Sequence, residues 1–175
     1  RLSPRLARSL AAGDRAGVIL FRRNLPDVAT MRTITAQIGE SVGPSLEELP
    51  FLVCLDEEGG RVSRLPPSEP RLPSMRTLGA LNDAAFTRRA GAAIGARLLE
   101  LGVNFDFAPV LDVDSNPRNP VIGDRAFSPD PAHVAEHGLA FARGLAEGGV
   151  LACGKHFPGH GDTEVDSHLD LPSLD

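Results

Sequence analysis

Between Lys155 and His168, fourteen consecutive residues hold three histidines, three carboxylates and a lysine, against two sizeable apolar side chains, Phe157 and Val165. A core-facing helix or strand carries apolar residues at a period of 3.6 or 2. This stretch carries neither, and Pro158, Gly159 and Gly161 mark it as a loop. It leaves the apolar run Gly149–Cys153, which has the length and composition of a buried strand. Titratable side chains gathered on a loop at a strand exit point to a site. Within the loop, Asp166 and His168 are two apart, so in an extended segment they face the same side. The carboxylate then accepts from one ring nitrogen and leaves the other for a substrate, the arrangement of a general acid/base working near neutrality. A solvated loop with a local Asp–His hydrogen bond is the plainer alternative.

Lys155 and His156 leave the strand directly and suit a pair of donors to substrate hydroxyls, or else a rim lysine and a satisfied histidine. His160 and Asp162 read as hydrogen-bonding residues internal to the loop. His156, His160, Asp162, Asp166 and His168 are also metal-ligand types, but Pro158 and the glycines rule out a helical His-x-x-x-His site. No metal or cofactor is therefore expected. A second cluster, Asp56 to Arg64, places two glycines after a strand, where they permit a tight turn and close backbone approach. Asp56 at that exit can accept from ligand hydroxyls, and Arg64 beyond the turn can fold back to donate. A third, Gly123 to Ser128, offers Arg125, by itself as readily a surface ion-pair partner.

These clusters need elements to position them. Leu2 to Leu10 reads as the tail of a helix. Strand-length apolar runs cover 17–21, 51–55, 103–107 and 149–153. Between them, Asp27 caps a helix to about Val42, Asn82 or Asp83 starts one stopped by Gly102, and Asp130-Pro131 starts one running to about Glu147. The Pro-rich segment Pro66–Pro73 reads as a covering loop. Continuous apolar strands alternating with helices predict a parallel sheet with helices outside. No Gly-rich phosphate loop follows the first strand, and every strand exit carries polar or charged residues. That favours a (β/α)8 TIM-type barrel, whose exits share one face, over an open doubly wound sheet. Such a barrel takes about 250 residues, so these 175 residues are expected to supply about four central β/α units. The single domain 1–175 is expected to be truncated at both ends, with the first barrel strand upstream of Leu2.

Composition removes several function classes. Eighteen basic against 23 acidic residues give a net charge of −5 with no basic run, unlike the clustered positive footprint of a nucleic-acid binder. No stretch approaches the roughly 18 continuous apolar residues of a membrane span. Cys54 and Cys153 lie in apolar runs and read as two buried thiols in a reduced protein. A cytoplasmic location is expected, and oligomeric state is left open.

Taken together, Lys155-His156-Phe157-Pro158-Gly159-His160-Gly161 with Asp166-Ser167-His168 and Leu171-Pro172, then Asp56 to Arg64 and Gly123 to Ser128, resemble glycoside hydrolase family 3 in its N-acetyl-β-glucosaminidase branch. The resemblance spans nearly the whole chain. It implies a retaining hydrolase that removes terminal β-linked N-acetylglucosamine from cell-wall fragments or related glycans, with a small carbohydrate as its partner. By that resemblance His168 is the acid/base and Asp166 its partner, while Asp56, Arg64, Arg125, Lys155 and His156 contact the sugar. Glu57 departs from the branch, which more often has Gln or His there, with little expected consequence. Retention needs a carboxylate nucleophile across the ring, which the branch places on a later strand exit. Only seven residues follow His168, and Asp170 and Asp175 are too near the loop to serve. A family 3 β-glucosidase-like enzyme, a phosphorylase that replaces water with phosphate, and a non-catalytic sugar-binding fragment are the alternatives.

Overall fold

The computed structural model describes residues 2–42, 51–166 and 169. Among these residues four strands, β1 (Gly17–Ile19), β2 (Leu52–Leu55), β3 (Phe105–Asp106) and β4 (Leu151–Ala152), form one sheet in the order β1-β2-β3-β4. Every neighbouring pair is parallel, with Gly17 opposite Leu52, Cys54 opposite Phe105 and Phe105 opposite Leu151. A doubly wound sheet reverses its strand order at a switch point. Here sequence order and spatial order coincide, as in successive units of a barrel. Among the described residues the sheet stays open, with β1 and β4 at its edges. The strands are shorter than the five-residue apolar runs that announce them.

Among the described residues five α-helices flank the sheet: α1 (Pro4–Ala11), α2 (Val28–Ser41), α3 (Met75–Ala80), α4 (Ala84–Glu100) and α5 (Pro131–Glu147). Side-chain caps fix their starts. Asp27 accepts from the Thr30 amide at 2.6 Å, Asp83 from Phe86 at 2.8 Å and Asp130 from Ala132 at 2.9 Å. Each cap satisfies one of the amides that a helix start leaves without a partner. The first helix begins inside the chain, capped by Ser3 with Pro4 in its first turn, so it is a whole short helix and not a tail. Helix α3 was not anticipated: it starts at Ser74, directly after the Pro-rich loop, and six residues are too few to show a period.

Helices α4 and α5 pack closely because small residues face each other. A Cβ added at Gly91 would lie 2.5 Å from the Phe141 carbonyl oxygen, and one at Gly148 2.5 Å from the Ala96 amide nitrogen. The core between helices and sheet is one cluster that includes Leu10, Met31, Leu55, Met75, Leu98, Phe127 and Phe141. No helix among the described residues is long and apolar enough to cross a membrane.

Candidate active site

Parallel strands send all their C-terminal ends to one side of the sheet, so residues distant in sequence converge there. Asp56 follows β2, Asp106 ends β3 and Lys155 follows β4. After β2 the chain turns through Gly59 and Gly60, whose φ values of +80° and +54° suit glycine. Lys155, 99 positions after Asp56 in the chain, places its Nζ 2.7 Å from Asp56 Oδ1 and 2.6 Å from Glu58 Oε1. Arg125, from a 3₁₀ turn at Gly123–Arg125, grips the same Glu58 with both prongs, Nε to Oε2 at 2.8 Å and Nη2 to Oε1 at 2.9 Å. Arg64 Nη2 stands 3.8 Å from Asp56 Oδ2. Glu58 is only 1 % exposed, against 14 % for the Lys155 side chain, so the carboxylate lies beneath its cations. Burial acts to lower the Arg125 pKa, but the Glu58 hydrogen bonds outweigh it and the guanidinium is held more firmly charged.

A second pair adjoins the first. His156 Nδ1 lies 2.5 Å from Oδ2 of the buried Asp112, whose Oδ1 accepts the His160 amide at 2.6 Å. Burial alone would raise the Asp112 pKa. The His156 and His160 hydrogen bonds outweigh it and hold the carboxyl below its ordinary value. Arg125 Nη2 is 3.4 Å from His156 Nε2. With Nδ1–H donating to Asp112, Nε2 is the lone-pair side and accepts from Arg125. Geometry thus gives His156 an acceptor at Nε2 where a hydroxyl donor was expected. Lys155 has one ammonium hydrogen beyond the two given to Asp56 and Glu58.

The loop after His156 is stapled to the segment after β3. Asn119 donates to the carbonyls of His160 at 2.6 Å and Thr163 at 2.9 Å, and its Oδ1 accepts the Val121 and Ile122 amides. Ser115 Oγ donates to Asp162 Oδ1 at 3.1 Å, and His160 Nδ1 meets Thr163 Oγ1 at 2.6 Å. His160 therefore has the loop-internal bond expected of it, whereas Asp162 is held from outside the loop, by Ser115 and by Asn116, which donates to its carbonyl at 3.2 Å. Gly161 presses on the same segment: a Cβ there would stand 1.6 Å from the Val113 carbonyl oxygen. A cleft of about 480 Å³ opens alongside, lined in part by Asp112, Val113, Lys155, His156, Phe157 and Gly161. The cleft shares Lys155, His156 and Asp112 with the charged clusters, whereas Asp56, Arg64 and Arg125 do not line it.

Five of the expected site residues, Asp56, Arg64, Arg125, Lys155 and His156, are thus brought together. Asp166 is half-buried, and its carbonyl accepts the Leu169 amide at 2.9 Å. Its expected partner His168 lies outside the described residues, as do Asp170 and Asp175. Sequence reasoning passed over Glu58 as a hub, Asp112 as the anchor of His156 and Asn119 as the loop staple. Asp and Glu at strand exits were the available signal, and their partners come from remote segments.

Two further acids are buried beneath the clusters. Glu57 receives Ser63 Oγ at 2.7 Å, the Arg64 amide at 3.0 Å and the Leu65 amide at 3.3 Å on Oε2, and burial pushes its carboxyl pKa up. Expected to matter little, it holds the turn that carries Arg64. Asp106 accepts the Glu57 amide at 2.9 Å, and its pKa is pushed well up, chiefly by burial. Cys54 and Cys153 are free thiols. Burial, and then Cys153, raises the Cys54 pKa to about 11, which disfavours a thiolate nucleophile, while Cys153 is half-buried where full burial was expected. Among the described residues no group of three or more His, Cys, Asp and Glu is placed to hold a metal ion.

Residues 2–175 match the family model of the glycosyl hydrolase family 3 N-terminal domain. The chain is 44% identical over 163 residues to a β-hexosaminidase of Neisseria meningitidis, covering 89% of this chain and 44% of that protein. It superposes with a TM-score of 0.87 and 38% identity on NagZ from Neisseria gonorrhoeae in complex with N-trifluoroacetyl-D-glucosamine, covering 98% of this chain and 51% of that one. The family 3 β-N-acetylglucosaminidase of Paenibacillus sp. gives a TM-score of 0.91 at 39% identity, over 98% of this chain and 32% of that one. The chain thus spans about half the length of such relatives, or less.

Proposed function

Since the chain belongs to glycosyl hydrolase family 3, we propose that it builds the sugar-holding part of a retaining β-N-acetylglucosaminidase. The observation that carries this reading is Lys155 held between Asp56 and Glu58, at 2.7 and 2.6 Å, on the face where the strands end. Fixed donors and acceptors set side by side suit the vicinal hydroxyls of a sugar ring. Asp56, Arg64, Arg125, Lys155 and His156 are assigned to the sugar, and the solved relative that holds N-trifluoroacetyl-D-glucosamine supports an N-acylated glucosamine as the ligand class. Cell-wall fragments or related glycans are the proposed source of that sugar.

In this reading His168, with Asp166 accepting from its other ring nitrogen, gives a proton to the glycosidic oxygen as the bond from C1 to that oxygen breaks. A carboxylate bonds to C1 from the opposite side. His168 then takes a proton from the water that displaces the carboxylate, so configuration is retained. The nucleophile is assigned outside the described residues. Among those described, Asp56 and Glu58 are bound to Lys155, Asp112 to His156, and Asp106 is buried.

The test is hydrolysis of an aryl β-N-acetylglucosaminide by the protein and its His168→Ala variant, with and without inorganic phosphate. Release of N-acetylglucosamine that is lost in the variant supports the reading. Turnover that survives the substitution refutes the assignment of His168, and N-acetylglucosamine 1-phosphate as product makes the enzyme a phosphorylase. Saturable binding of N-acetylglucosamine with no turnover selects the second reading, sugar binding without catalysis, which is favoured by the engagement of every described strand-exit carboxylate.

A further inference from the structure

Beneath the charged cluster lies one carboxyl group with no assigned work. Asp106, the last residue of β3, is wholly buried. Its Oδ1 accepts the Glu57 amide at 2.9 Å, while Oδ2 has no hydrogen-bond partner among the described residues. The charged groups that act on it are Asp56 and Glu57 from the exit of β2 and Lys155 from the exit of β4. Lys155 is already engaged by Asp56 and Glu58. A charged Asp106 would therefore be a third claimant on one ammonium group, buried and with a single neutral donor of its own. Burial is the largest influence favouring the protonated form, and the Glu57 and Asp56 charges act in the same sense; the Glu57 amide and Lys155 oppose them.

We propose that Asp106 is a positioning residue for this site: as an uncharged carboxylic acid it fixes the Glu57 amide, and through it the place from which Asp56 and Glu58 reach Lys155. The inference rests on reading the cluster as a sugar site. An uncharged acid accepts through its carbonyl oxygen, here Oδ1, and carries its proton on Oδ2. Loss of that proton sets a new anion under the cluster, which draws Lys155 inward and repels Asp56. Sugar binding then falls as pH rises, without any change in the groups that touch the sugar.

The experiment follows two readouts on the protein: carbon-13 NMR of labelled aspartate carboxyls, and the affinity for N-acetylglucosamine as a function of pH. Asp106→Asn preserves the acceptor and cannot ionise. The expected result is one aspartate carboxyl that titrates far above the others and is missing from the variant. Wild-type affinity is expected to fall by about ten-fold per pH unit above that same midpoint, while the variant stays flat over that range. An Asp106 that titrates with the other aspartates overturns the inference, as does an alkaline decline that persists unchanged in Asp106→Asn. If that variant does not fold, the wild-type carboxyl titration and the affinity midpoint still decide, because they must coincide. Absence of N-acetylglucosamine binding at every pH overturns the sugar reading and this role with it. An ordinary Asp106 titration with sugar binding intact overturns this inference alone.

Discussion

Replacing Glu58 by Gln keeps the shape of the side chain at the centre of the cluster and removes its charge. Glu58 accepts three charge-assisted hydrogen bonds: Oε1 from Lys155 at 2.6 Å and Arg125 Nη2 at 2.9 Å, and Oε2 from Arg125 Nε at 2.8 Å. A glutamine must turn its NH2 toward one side. Facing Arg125 Nε is the less costly choice, since only one donor is opposed there. One bond then becomes a donor–donor contact, and the other two lose the charge on their acceptor. Removing one partner's charge from a buried ion pair costs about 3–5 kcal/mol, and Glu58→Gln is expected to cost about that much. The chain has no Trp and no Tyr, so urea unfolding is best followed by far-UV circular dichroism, at constant m-value. Combining Glu58→Gln with Lys155→Met removes the opposed charge as well, and the double variant is expected to lose about 1–2 kcal/mol less than the sum. A Glu58→Gln cost below about 1 kcal/mol, or strict additivity with Lys155→Met, would refute the account of Glu58 as the hub.

Two further outcomes follow from the same geometry. Gly161→Ala puts a Cβ 1.6 Å from the Val113 carbonyl oxygen, so the loop after His156 must move; affinity for N-acetylglucosamine is expected to fall roughly 10- to 100-fold at a stability cost of about 1–3 kcal/mol, as calorimetry and urea unfolding would show. Asp112 has a folded pKa depressed below its ordinary 3.8, so its contribution is present above that value and is lost as pH falls through the folded pKa. Asp112→Asn should therefore flatten the acid side of the stability–pH curve, and an unchanged acid limb would contradict the pairing with His156.

Much of the architecture was legible because its signals are local. The apolar runs around Val18, Val53, Phe105 and Leu151 each contain a strand, and Asp27, Asp83 and Asp130 cap the helices their positions predict. Helix α3 escaped because six residues after a Pro-rich loop carry no measurable period. The candidate site was legible as residue types at strand exits and illegible as connections. Arg125 looked like a surface ion-pair former, yet its partner Glu58 stands 67 positions away and is buried. Asp112 anchors His156 across 44 positions and Asn119 reaches His160 across 41. Such pairings are set by parallel strands delivering their ends to one face, which no window of neighbouring residues contains.

The most direct test of the sugar-site reading is an NMR titration of the isotope-labelled protein with N-acetylglucosamine. The account predicts saturable shifts at the amides of Asp56, Arg64, Arg125, Lys155 and His156, abolished together by Lys155→Met in a protein that remains folded. Saturable shifts elsewhere that leave these five amides unmoved, or binding that survives Lys155→Met undiminished, would contradict it.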